Sequence, residues 1–409
     1  MSTIERFDPF AAEVLADPYP HYARLRDDDP VSFIPELDLW MVTRYDDVSR
    51  ILHDPDTFSS ADGMGALMSG GMGRNRIDAR DAFGIDLRTM RILIATDPPD
   101  HTRLRRLLSK AFTPRAIADL EPHLRDVCDQ LVDDLIAAAE GGHGDLVTHV
   151  AFPFPVIVIA ELLGIPPERR DDFKRWSDAL VGALSGSWNP VEAQQTLIEM
   201  FTYLADIVER RRADPADDLI SRLVAGNQPD DPDALTAPEI TLFAILLLVA
   251  GNETTTNLIG NGAAAFAAHP DQAQRLADEP ELLPAATEEI LRWDAPVQGL
   301  FRATTHPTTL AGVDLPQGAV ILASFAAANR DPRHFPDPDQ FDITRRPTDH
   351  LAFGHGIHYC LGASLARLET KILAETLRSR APNLRPAGTP SRVDSIILRG
   401  FTSYPVTTI

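Results

Sequence analysis

Cysteine is nearly missing from this sequence: Cys128 and Cys360 are the only two in 409 residues. That excludes a disulfide scaffold and any four-cysteine zinc or iron–sulfur site. Lysine is almost as rare, with Lys110, Lys174 and Lys371 alone, so cationic chemistry falls to arginine. Positive charge is the minority sign; 38 basic against 60 acidic residues leave a net charge of −22. Such a surface repels phosphate backbones and anionic lipid, so neither nucleic acid nor membrane docking is expected. The strongest apolar run, Leu242 to Ala250, is about half the ~18 residues that a bilayer span needs. The N-terminal stretch Met1-Ser-Thr-Ile-Glu-Arg-Phe-Asp8 lacks the basic-then-apolar layout of a signal peptide, which points to the cytoplasm. There is also no repeat period and no Gly/Ser-rich linker.

What is present is an ordinary globular balance, 44% hydrophobic and 24% charged, long enough to enclose a cofactor. Apolar residues at helical spacing (Leu120, Leu124, Val127, Leu131, Leu135) predict a helix over Ala118–Glu140, and similar spacing predicts Val191–Arg212 and Leu365–Arg380. Strand signals are few. A hairpin is expected from Val31–Ile34 and Leu37–Thr43, a second patch from Thr308–Leu310, Val313–Leu315 and Ala319–Ser324, and a last one near Ser395–Leu398 and Tyr404–Thr408. The expected fold is a single, mostly α domain with small β-sheets. One stretch, residues 61–93, breaks the helical pattern with six glycines and four of the seven methionines. A loop of that length is either a mobile surface segment or an adaptable apolar lid over a pocket.

Chemistry concentrates in Phe353-Gly-His-Gly-Ile-His-Tyr-Cys-Leu-Gly362. Alone, Cys360 would read as an inert thiol, as Cys128 does in its amphipathic helix. Gly356 permits a tight turn before the sulfur, Gly362 removes bulk after it, and helical periodicity begins at Ala363. A cysteine so placed meets the amide N–H groups and dipole of a helix N-terminus, which favour thiolate. The segment resembles the haem-ligand loop of the cytochromes P450, F-G-x-G-x-H-x-C-x-G, at every specified position. The resemblance implies haem b with Cys360 as the axial iron ligand, Phe353 packed beside the loop, Gly362 close to the cofactor, and His358 on a propionate.

Three more segments share that family's order. Ala250-Gly-Asn-Glu-Thr254, inside an apolar helix over 239–267, resembles the distal helix. There Ala250 and Gly251 would make room for dioxygen, and Glu253 and Thr254 would relay protons. Glu289-Ile-Leu-Arg292 resembles the buried E-x-x-R pair, while Gln340 stands where the family commonly has the third, arginine arm. His101 and Arg105, at i and i+4, resemble the H-x-x-x-R propionate ligands, and Arg302 matches a further one. The resemblance covers essentially the whole chain.

The implied activity is a haem-thiolate monooxygenase that takes dioxygen, two electrons and two protons and hydroxylates a small apolar substrate. Peroxide-driven oxygenation and a non-catalytic haem sensor are the rivals, and the intact Glu253-Thr254 pair speaks against both. Expected pocket walls are Met64, Leu67, Met68, Leu87 and Met90 in the lid, Leu246, Val297 and Leu300, and Leu398. With no cysteines for a cluster and no room for a flavin domain, electrons are expected from a separate ferredoxin and its reductase, reaching a monomer. The acid-free run His101–Arg115, with Arg103, Arg106 and Lys110 facing outward, is the expected docking patch.

Overall fold

In the computed structural model, residues 7–68, 91–185, 190–226 and 233–408 are described. The elements that position the site are, in chain order, α1 (Tyr19–Asp28), β1 (Val31–Ile34), β2 (Leu39–Val42), α2 (Tyr45–His53), β3 (Phe58–Ser59) and α3 (Ser60–Met68). Then come α4 (Asp100–Leu108), α5 (Glu121–Glu140), α6 (Pro153–Leu162), α7 (Arg170–Ser185), α8 (Pro190–Ala213), α9 (Ala237–Ala268) and α10 (Leu283–Trp293). The chain continues through β4 (Gly299–Thr304), β5 (Thr308–Leu310), β6 (Val313–Leu315), β7 (Val320–Ser324) and α11 (Ala363–Arg380). Helix dominates, as the apolar spacing predicts.

Contacts gather these elements into two compact units, each assembled from three separated stretches of sequence, which is why no linker marks a boundary. One comprises Met1–Ala66, Gly260–Cys360 and Ser391–Thr402. Its five-stranded sheet runs β1-β2-β7-β4-β3. The expected hairpin pairs antiparallel, Val31 with Val42 and Ile34 with Leu39, while β2 lies parallel to β7 with Trp40 opposite Ile321. Val48, Ile51, Phe58, Ile321, Ala323 and Leu351 form its core at 4% exposure or less. β4 was not expected from the sequence, because Gly299 and Arg302 dilute its strand signal. It pairs antiparallel with β7, Arg302 opposite Ile321. β5 and β6 form a separate hairpin rather than one patch with β7.

The other unit comprises Leu67–Ile259, Leu361–Pro390 and Ser403–Ile409. Leu104, Leu108, Ile159, Trp176, Leu204, Val208 and Leu248 pack its interior at 2% exposure or less. Two expectations need correction. Residues 61–68 of the expected lid are helical (part of α3), while residues 69–90 lie outside the described structure. Ser395–Leu398 forms no strand; Leu398 makes only an isolated bridge to Val297, and the strands are Phe401–Ser403 and Val406–Thr408. One described helix, α9, is long and apolar enough to cross a bilayer by length and composition, which a search for unbroken apolar runs misses. In the structure 56% of its most apolar 18-residue window is buried.

Candidate functional site

The cysteine loop is built by backbone geometry. Gly354 N–H donates to Leu351 O at 2.8 Å, a short 3₁₀ turn covers Gly356–His358, and Cys360 N–H closes back on Phe353 O at 2.9 Å. Gly356 has φ +67°, and a Cβ there would lie 2.2 Å from the carbonyl oxygen of Leu52, so only glycine fits. The rings of Phe353 and Tyr359 meet edge-on at 6.3 Å. The loop leaves Cys360 half-buried and outside any disulfide just ahead of α11, whose N-cap residue, Gly362, supplies no side-chain cap. The first amides of α11 and its dipole therefore favour negative charge at that end. A Cβ on Gly362 would meet no protein atom within 4 Å, so the chain leaves open space just past the cysteine. A soft thiolate donor and this clearance fit a haem iron. Cys128 is the opposite case: fully buried, its thiol is pushed up to about 12 by burial.

In the second unit α9 carries the expected polar segment. Leu246, Glu253 and Thr254 are half-buried and Ala250 is exposed, so one face of this otherwise buried helix is open. Thr254 Oγ1 donates to Ala250 O at 2.6 Å, which leaves its oxygen free to accept. Gly251 is small for another reason than the open face: a Cβ there would lie 2.6 Å from Cδ1 of Ile159 in α6. Asn252 Nδ2 donates to Ser177 Oγ in α7 at 2.8 Å, and Thr256 Oγ1 to Ala151 O at 2.9 Å. Glu369 of α11 was missed by sequence reasoning. It is fully buried, hydrogen-bonded to Thr255, and raised to about 8 because burial outweighs that bond. The only sequence signal was an acid at a core-facing position of a helix.

The expected propionate ligands are polar residues held inward. His101 sits in the first turn of α4 at 2% exposure, with Arg105 half-buried one turn on. Arg302 is 3% exposed on β4, its Nη1 donating to Phe301 O at 2.8 Å. Of the expected pocket walls, Met64 is buried on α3, Leu246 and Leu300 are half-buried, and Val297 bridges to Leu398. The side chains of Leu67 and Met68, and all of Leu87 and Met90, lie outside the described residues.

The basic run meets the expected outward patch only in part: Arg106 and Lys110 are exposed, whereas Arg103 is turned inward to a partner. Arg103 is 16% exposed, ion-paired with Glu239 of α9, and bonded to the carbonyls of Asp233 and Ala234. Arg106 remains half-exposed but pairs with Asp233 at 3.1 Å. These two cations tie α4 to the start of α9. Glu239 is accordingly lowered, the bonds from Arg103 and Thr236 together outweighing its burial.

Glu289 and Arg292 are both wholly buried and pair bidentately, Nε to Oε2 at 2.7 Å and Nη2 to Oε1 at 2.8 Å. Arg292 Nη1 also donates to the carbonyls of Asn329 and Pro338. The exposed Gln340 contributes only its backbone carbonyl, at 3.2 Å from Arg292 Nη2. The second cation is Arg345, Nε to Glu289 Oε1 at 3.3 Å.

The cytochrome P450 family profile matches residues 75–380. Cytochrome P450 107B1 of Saccharopolyspora erythraea is 41% identical over 399 residues, 95% of this chain and 95% of its own. Vitamin D(3) 25-hydroxylase of Pseudonocardia autotrophica is also 41% identical, over 98% of this chain and 96% of its own. Among solved structures, cytochrome P450 CYP109Q5 from Chondromyces apiculatus superposes with a TM-score of 0.87 at 39% identity, covering 98% of each chain.

Proposed function

The chain belongs to the cytochrome P450 family of monooxygenases, and from that premise we propose that it uses haem b, held by Cys360, to insert one atom of dioxygen into a C–H bond of a small apolar substrate. The observation that carries this reading is the Cys360 loop, a half-buried thiol at a helix N-terminus, beside clearance at Gly362. When bound, haem supplies the iron for dioxygen chemistry, and thiolate ligation favours O–O cleavage.

The remaining work falls to side chains. The dipole of α11 holds Cys360 as thiolate. His101, Arg105, Arg302 and His358 take the two propionates, since buried or half-buried guanidinium and imidazole N–H groups can donate to carboxylates. Thr254, its proton committed to Ala250 O, accepts a hydrogen bond from solvent or from Glu253, which carries protons inward. Ala250 keeps the open face of α9 clear. Phe353 packs beside the ligand loop, while Met64, Leu246, Val297, Leu300 and Leu398 supply an apolar wall that excludes water. The likeness to a vitamin D(3) hydroxylase supports an apolar substrate of medium to large size. Electrons come from a separate ferredoxin and its reductase to a cytoplasmic monomer.

The deciding experiment is the reduced, carbon-monoxide-bound spectrum. The wild type and Cys128→Ser should show the red-shifted Soret band of thiolate ligation, and Cys360→Ser should lose it. A band that survives in Cys360→Ser would sink the assignment. A panel of sterols, fatty acids and macrolides, read by the Soret shift, then narrows the substrate.

A further inference from the structure

Asn252-Glu-Thr-Thr-Thr-Asn257 puts six consecutive polar residues into a helix that is otherwise mostly apolar. Around the end of this run the polar groups are engaged. Asn252 bonds Ser177, Thr254 bonds Ala250 O, Thr255 bonds Glu369, and Thr256 bonds Ala151 O. Asn257 is different. Its side chain is 0% exposed, yet neither Oδ1 nor Nδ2 has a hydrogen-bond partner.

A carboxamide offers two donors and two acceptor sites. Leaving such a group buried and unmet costs about 1–3 kcal/mol, and a natural core replaces it unless something binds there. Its place on the helix indicates what binds. Helical spacing puts Asn257 on the stripe of Leu246, Ala250, Glu253 and Thr254, which is open along its length and closes at Asn257. Side chains at i, i+3 and i, i+4 have Cβ atoms ~5–6 Å apart, so Asn257 is a neighbour of both Glu253 and Thr254. No direct bond from the carboxamide to either exists. One water, which makes two to four bonds, spans such a gap.

We propose that Asn257 is a positioning residue for proton delivery: its carboxamide anchors a water that bridges to Glu253 and Thr254 at the closed end of the open stripe on α9. This rests on the reading of Glu253 and Thr254 as the proton relay. Asn257 itself gives up no proton. It donates through Nδ2 to the water oxygen, or accepts through Oδ1, and so orients the water's own O–H towards the pair.

The test compares Asn257→Val, comparable in size but without hydrogen bonds, with Asn257→Ser and with Thr254→Ala in the haem-loaded enzyme. Asn257→Val should keep the carbon-monoxide band and bind substrate within about two-fold of wild type. Its product per electron pair should fall at least about ten-fold, within reach of the loss when an acid–base path is broken. Its solvent isotope effect should rise, and Asn257→Ser, which can still hold water, should recover much of the coupling. A high-resolution crystal structure of the wild type should show a water bonded to Asn257 and to Glu253 or Thr254. Unchanged coupling and isotope effect in Asn257→Val would overturn the proposal, as would a carboxamide bonded only to protein atoms. If Asn257→Val fails to fold, Asn257→Ser decides: near-wild-type coupling with the water retained supports the anchor, and full coupling without the water defeats it. Thr254→Ala separates the two ideas. Full coupling in that variant defeats the relay reading, whereas uncoupling there beside a fully coupled Asn257→Val defeats the anchor alone.

Discussion

Arg345 reaches Glu289 from 56 residues further along the chain, Nε to Oε1 at 3.3 Å, and brings a second guanidinium to a carboxylate already paired with Arg292. Its other nitrogens are engaged as well, Nη1 on Pro336 O at 2.6 Å and Nη2 on Asp337 O at 3.0 Å. The segment from Pro336 to Arg345 is thereby strapped onto α10 through one buried acid. The amide N–H of Asp342 completes the set on Glu289 Oε1 at 3.0 Å.

Removing one member of a buried pair leaves the other charged and unmet, which costs about 3–5 kcal/mol. Arg292→Ala and Glu289→Ala should each lose that much in urea unfolding. Arg345→Ala, at 15% exposure, should lose less, because water can reach the site. Gln340→Ala should be close to neutral, since only its backbone oxygen takes part. A large loss in Gln340→Ala would place its side chain in the network after all.

Glu369 predicts a pH dependence of stability. Its carboxyl is raised from 4.5 to about 8, burial being the main cause and the Thr255 bond opposing it. The folded protein keeps a proton that the unfolded chain releases, so this contribution is complete below 4.5 and lost as pH rises through about 8. Glu369→Gln removes it. The difference in unfolding free energy between wild type and variant should move against the wild type by up to ~1.4 kcal/mol per pH unit across that window. Parallel pH curves for the two proteins would show that Glu369 does not titrate there.

Gly356→Ala should disrupt the cysteine loop. It needs a left-handed backbone and sets a methyl 2.2 Å from the Leu52 oxygen, so either the turn or α2 must shift. Haem retained after gel filtration should drop sharply, whereas Gly312→Ala, with a similar φ but open surroundings, should retain it. Equal haem content in the two variants would mean that the loop geometry does not govern cofactor binding.

Helix content, the β1–β2 hairpin and the ten-residue cysteine segment were legible in the sequence, because each rests on local rules. Helical spacing is written in neighbours three and four apart, and a hairpin in two adjacent runs with a turn between them. The turn before Cys360 needs glycine at one position whatever surrounds it. Partnership between distant residues was not legible. Residues 101–115 read as a cationic surface because they contain no acid, but Glu239 and Asp233, more than 120 residues on, take up Arg103 and Arg106. Nothing local to Gly251 shows that Ile159 lies where its Cβ would be, a packing reason for glycine that only the fold reveals. β4 escaped because an arginine in a strand signals solvent, whereas burial at 3% makes Arg302 part of the interior. The sequence by itself determined which residues can do chemistry: one cysteine in a glycine-framed loop, and an acid and an alcohol in an apolar helix. Only the tertiary structure decided which polar groups are already engaged and which are left for a ligand, because hydrogen bonds and ion pairs form between residues that the chain keeps far apart.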